Sequence, residues 1–145
     1  MNSDIDVFGV KAKVYIDFDE SLEKLGSIIE KALNLKALRY ENNEDEPYDL
    51  IGYTEVLGFE LVLRSVINGF HESQYLFVLV IFTTDCFKEI FNDRIYDTSL
   101  WLARYLSMIC ELKTIAEITN GESKKIVKFW HDKPNRMNEV IEMQL

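Results

Sequence analysis

The chain reads as an α+β protein, an antiparallel or mixed sheet with its helices packed mainly on one face. Three patterns lead there. Val10 to Phe18 alternates apolar and polar residues with the period of two that a strand requires, and Leu22 to Leu33 follows helical spacing. Strand-type runs then return at Phe59 to Leu63 and Tyr75 to Phe82, ahead of a second helical stretch at Thr98 to Lys113. Strands cluster between the helices instead of alternating with them, the order expected when helices cover one side of a sheet.

In the first strand Val10, Ala12, Val14, Ile16 and Phe18 form the buried face, with Lys11, Lys13, Tyr15 and Asp17 on the other. The first helix runs from about Glu20 to Leu33. Leu22, Leu25, Ile28, Ile29, Ala32 and Leu33 make its apolar stripe, Asp19 or Ser21 caps its start, and Asn34 ends it. Lys36 to Glu41 alternates again with Leu38 and Tyr40 on one face, and Asn42 to Pro47 reads as an exposed acidic turn. Tyr48 to Leu57 fits either a short helix or an extended segment interrupted by Gly52. Phe59, Leu61 and Leu63 alternate with Glu60, Val62 and Arg64, whereas Tyr75 to Phe82 is apolar on both faces, as a central strand should be. Asn68-Gly69 marks the turn of the antiparallel hairpin between them. Asp97 caps the second helix, whose Leu102, Tyr105, Leu106, Ile109 and Leu112 point to the core while Trp101 and Met108 widen the apolar face. Thr114 to Ile118, Asn120-Gly121 and Lys125 to Trp130 predict a final hairpin, and Val140, Ile141 and Met143 a short terminal helix. No Pro/Gly linker or repeat divides the 145 residues, so a single globular domain is expected, with a ferredoxin-like variant as its topology.

Charge narrows the choice of partners. Of a net −9, residues 1 to 100 carry −10 and residues 101 to 145 carry +1. Phosphate backbones and anionic lipid surfaces repel such a body, so neither nucleic acid nor membrane is the expected partner. The first residues lack the basic and apolar runs of a signal peptide, and the longest apolar run, Tyr75 to Phe82, falls far short of the roughly 20 residues of a membrane helix. A soluble, cytoplasmic protein is expected. Cys86 and Cys110 stand apart without a C-x-x-C and read as free thiols.

Candidate chemistry is sparse. Val14 to Phe18 runs into Asp17-x-Asp19, which resembles the strand-end aspartates of haloacid-dehalogenase-type phosphotransferases, where one carboxylate attacks phosphorus beside Mg²⁺. The later Gly-Asp metal ligands of that family have no counterpart, and first-turn acids that complement a helix dipole explain Asp19 and Glu20 more simply. His71 and His131 lack ligand spacing and read as surface histidines, and no serine sits in a nucleophile elbow. Lys124, Lys125, Lys128, Lys133 and Arg136 surround Phe129 and Trp130, an interleaving that could stack and neutralise a single strand. A sheet edge guarded by lysines accounts for the same pattern. No catalytic residue, metal or cofactor is therefore expected.

The strongest functional signal is acidic. Between Arg39 and Arg64 no lysine or arginine occurs, while Glu41, Glu44, Asp45, Glu46, Asp49, Glu55 and Glu60 stand among Tyr40, Tyr48, Tyr53 and Phe59. Carboxylates without local counter-charges attract a basic partner from a distance, and aromatic side chains supply contact area at short range. Glu44, Asp45, Glu46, Tyr48, Asp49, Tyr53, Glu55 and Glu60 are the partner-binding candidates. With Val14 to Phe18, a helix opening at Ser21-Leu22, the turn Glu44-Asp45-Glu46-Pro47 and the strand Gly58 to Leu63, the layout resembles immunity proteins of bacterial polymorphic toxins, including contact-dependent growth inhibition systems. That resemblance covers about residues 10 to 115. It implies stoichiometric binding and neutralisation of a cognate toxin domain, frequently a basic nuclease, with no catalytic residues of the protein's own.

Overall fold

The computed structural model describes residues 9–43, 46–70, 75–84, 95–120, 123–133 and 136–144. β1 (Gly9–Asp17) lies mid-sheet, antiparallel to β5 (Tyr75–Thr83) on one side and to β7 (Lys113–Asn120) on the other. The full order is β2 (Arg39–Asn43), β3 (Glu46–Val56), β4 (Phe59–Phe70), β5, β1, β7, β8 (Ser123–Lys133) and β9 (Arg136–Gln144). A short β6 (Ile95–Asp97) runs parallel to β1 at Gly9 to Lys11, ahead of the point where β7 takes over. Between the two, Thr98 donates its backbone N–H to the Lys11 carbonyl (2.8 Å) and the Ser99 hydroxyl accepts from the Lys13 N–H (2.9 Å). The gap along the central strand is thus closed without stranding its polar groups.

α1 (Leu22–Leu33) forms where its spacing predicts. Ser21 caps it by accepting from the Lys24 N–H at 3.3 Å, and Asn34 closes it in the left-handed conformation (φ 53°, ψ 47°), which Asn tolerates better than most residues. α2 (Ser99–Cys110) ends three residues earlier than expected, because Glu111 adopts the left-handed conformation and Lys113 opens β7. Asp97 acts at its start, but from one position outside the cap: its carboxylate accepts from both the N–H and the hydroxyl of Ser99, while the N-cap residue Thr98 makes no side-chain capping bond.

Both helices lie on one face. Ala12, Val14 and Ile16 of β1, with Leu61, Leu63, Phe77, Leu79, Ala116, Val127 and Phe129, meet Leu22, Leu25 and Ile29 of α1 and Leu102, Ala103 and Leu106 of α2. The architecture is therefore α+β with a large, almost wholly antiparallel sheet. A smaller cluster, Tyr15, Val78, Ile115 and Ile126, is buried on the opposite face. Tyr40 is wedged between α1 and β3. A Cβ on Gly26 would overlap its hydroxyl, and one on Gly52 would sit 3.0 Å from its ring. Burial, reinforced by Glu30 and Glu23, raises the Tyr40 pKa above the ordinary 10.0.

Several expectations change. Tyr48 to Leu57 resolves as strand: β3 starts at Glu46 and runs through Gly52, whose missing side chain leaves room for Tyr40. Of the expected Asn42 to Pro47 turn, Asn42 and Asn43 belong to β2 and Glu46 and Pro47 to β3, while Glu44 and Asp45 lie outside the described residues. Asn68-Gly69 lies inside β4, where the register with β5 shifts between Ser65 and Phe70, so the dipeptide serves an irregularity in the ladder and not the turn. Val140, Ile141 and Met143 belong to β9, not to a helix; three apolar residues are too few to fix a period, and pairing with β8 decides. Trp101, Met108 and Ile109 face solvent on α2 instead of the core, and Trp101 stacks on Tyr105 with ring centroids 5.2 Å apart.

Candidate partner-binding surface

Strand pairing assembles the site. Tyr53 of β3 stands opposite Arg39 of β2 and Val62 of β4, and Glu55 of β3 stands directly opposite Glu60 of β4. Alternation puts all of these, with Glu41, Ile51 and Arg64, on the face of the sheet away from the helices. The Arg39 guanidinium lies over the Tyr53 ring at 5.1 Å from its centroid. Burial and the neighbouring Glu60 and Glu55 carboxylates raise the Tyr53 pKa above 10.0, Arg39 opposes them, and Glu60 also bonds to the hydroxyl. Tyr53 is thus a protonated phenol held between a guanidinium and two carboxylates.

Of the expected site residues, the structure brings Tyr53, Glu55 and Glu60 together. Glu46, Tyr48 and Asp49 lie on the backbone of β3, with their side chains outside the described residues, as are Glu44 and Asp45 altogether. One premise is qualified: the two arginines that bound the acidic stretch lie on the same face as its described carboxylates. Arg39 and Arg64, which bound it in sequence, fold back across the ladder onto Tyr53 and opposite Ile51. Phe59 belongs to the helix-bearing face, opposite Val56 and Thr83, and so is not part of the acidic surface.

Further along the same face the charge reverses. Lys11 and Lys13 of β1 border a recess of about 330 Å³ that Tyr15, Phe82, Asp97 and Glu117 also line, with Lys13 Nζ 5.4 Å from the Tyr15 ring centroid. Lys128 and Trp130 continue the face on β8. β8 is not the guarded edge considered above, since β9 pairs along its far side. Phe129 is fully buried on the helix side, so the aromatic and basic residues of 124–136 do not form one stacking platform.

No protein-family model matches this chain, and comparison with curated proteins and solved structures returns no significant match. The site must be read from its own chemistry. Asp17 and Asp19 border a recess of about 450 Å³ at the far end of β1, beside Glu111, Lys113 and Cys110, whose thiol pKa is raised by burial. Asp17 pairs in register with Lys113. Among the described residues no three His, Cys, Asp or Glu side chains converge on a point that could hold a metal, and no helix is long and apolar enough to cross a membrane. His131 lies within β8 and not after it; both its ring nitrogens are buried without a hydrogen-bond partner among the described residues, so it is no surface histidine. His71 lies outside the described residues.

Sequence reasoning missed the exposed Trp101, Met108 and Ile109 on α2. The signal was present, because this helix is apolar nearly all round, a pattern that fits a buried helix or one that meets a partner.

Proposed function

We propose that the protein is an immunity-type inhibitor that binds a basic bacterial toxin domain, a nuclease being the class that best fits, through the corner of the open sheet face formed by Glu41, Tyr53, Glu55 and Glu60. One observation carries the reading: Glu55 and Glu60 face each other directly across β3 and β4. Like charges opposite one another destabilise a strand pair, by about 0.2–1 kcal/mol relative to neutral pairs. A local conflict of this kind, kept beside an aromatic ring, is the mark of a surface tuned for something other than stability. A nuclease cleft carries positive charge to hold phosphates, and paired carboxylates offer it negative charge in their place. Arg39 then serves the site by fixing the Tyr53 ring in place. The protein acts in the cytoplasm, as a stoichiometric binder. In the same reading, β4, β5, β1 and β7 with α1 and α2 form a ferredoxin-like βαββαβ unit, which the β2–β3 and β8–β9 hairpins extend at its two ends.

Glu55→Lys separates this reading from a merely solvated surface. Placing a lysine opposite Glu60 should raise thermal stability slightly while abolishing protection of cells that express the cognate toxin domain. A variant that gains stability and still protects would remove the acidic corner from the interface.

A further inference from the structure

The two edges of the sheet are built differently. β2, at one edge, is five residues long and carries exposed Arg39 and Glu41. β9, at the other, is nine residues long and contains no proline, glycine or lysine; its charges, Arg136, Glu139 and Glu142, flank an apolar centre at Val140 and Ile141, and among the described residues only β8 pairs with it. Val140 and Ile141 are 39% and 59% exposed along it. Natural edges are normally shortened, bent or charged, because an unpaired row of N–H and C=O groups templates the addition of another strand. Among the described residues β9 is the longer, unbroken edge, and its uncharged centre at Val140 and Ile141 suits such pairing.

We propose that β9 pairs antiparallel with β9 of a second copy, about a two-fold axis at Val140, to give one continuous sheet through both molecules. The register follows from symmetry and charge. A two-fold axis normal to the sheet keeps side-chain faces matched only where a residue meets its own copy. With the axis at Val140, Val140 meets Val140, Glu139 meets Ile141, Asn138 meets Glu142, Met137 meets Met143 and Arg136 meets Gln144. All nine residues of the strand are used and no like charges stand opposite each other. Shifting the axis to Glu139 sets that carboxylate against its own copy, and shifting it to Ile141 leaves Arg136 and Met137 unpaired. The pairing lies at the end of the sheet away from β2, β3 and β4, so the dimer carries two acidic corners, one at each far end. It stands or falls independently of the toxin-binding reading.

Sedimentation velocity over a concentration series tests it. The wild type should sediment as a dimer. Val140→Lys, which sets two lysines face to face, should weaken association by about tenfold or more, and an equimolar mixture of Val140→Lys and Val140→Glu should restore a dimer by pairing opposite charges at the axis. Ile141→Lys should tighten the dimer, because each lysine then meets Glu139 of the other copy. Thermal melts establish that each variant folds; should Val140→Lys fail to fold, Ile141→Lys decides, a tightened dimer supporting the pairing and an unchanged or weaker one overturning it. A wild type that remains monomeric at about 100 μM overturns the proposal, as does a Val140→Lys that stays dimeric or a mixture that does not associate.

Discussion

Phe129→Ala is expected to remove about 3–5 kcal/mol of unfolding free energy, the cost of emptying a fully buried aromatic position. Phe129 lies beneath α2 in the core, opposite Thr114, whose hydroxyl donates to the Ala103 carbonyl at 2.7 Å. A cavity there loosens the contact between β7, β8 and the helix at once. Urea unfolding measures the loss, and Trp130→Ala, on the other face and half-exposed, should cost much less. A Phe129→Ala protein within about 1 kcal/mol of wild type would mean that this part of the core is wrongly assigned.

Tyr53→Ala should weaken partner binding by more than about 2 kcal/mol, roughly thirtyfold in Kd, mostly through faster dissociation. Its fold should be little affected, because Tyr53 is half-exposed on the open face and its contact with Arg39 is worth about 0.5–1 kcal/mol. Phe59→Ala should behave in the opposite way, losing stability rather than contact, since Phe59 belongs to the helix side of the sheet. Calorimetric titration with the toxin domain, run beside thermal melts of each free variant, distinguishes the two. Full affinity in a stable Tyr53→Ala protein would move the interface to another face, the exposed Trp101 and Met108 of α2 being the next to test.

What the sequence made legible was what short-range physics decides. Ser21 and Asn34 bound α1 because capping depends on a few neighbouring backbone groups, and alternation in Val10 to Ile16 tracks burial because the pleat has a fixed period of two. What it hid depends on pairing between distant strands. Asn68-Gly69 looks like a turn to any local rule, yet the β4–β5 ladder absorbs it as an irregularity. Val140 and Ile141 become strand because β8 offers a partner, a fact that no window around them contains. In the candidate site, Glu55 and Glu60 are five positions apart in the chain, and their direct opposition appears only once the turn at Leu57 and Gly58, both at positive φ, folds β3 onto β4. Arg39 and Arg64 mark the ends of the acidic stretch in sequence, and strand pairing returns both to its face, opposite Tyr53 and Ile51.

The most direct test of the acidic corner is the association rate with the basic toxin domain, followed by stopped flow against ionic strength, for the wild type and for Glu55→Gln/Glu60→Gln. The wild-type rate should fall steeply as salt shortens the Debye length toward about 8 Å near 0.15 M, and the double variant should start lower and fall less, with dissociation nearly unchanged. Equal rates for the two proteins, with equal dependence on salt, would contradict electrostatic capture by Glu55 and Glu60.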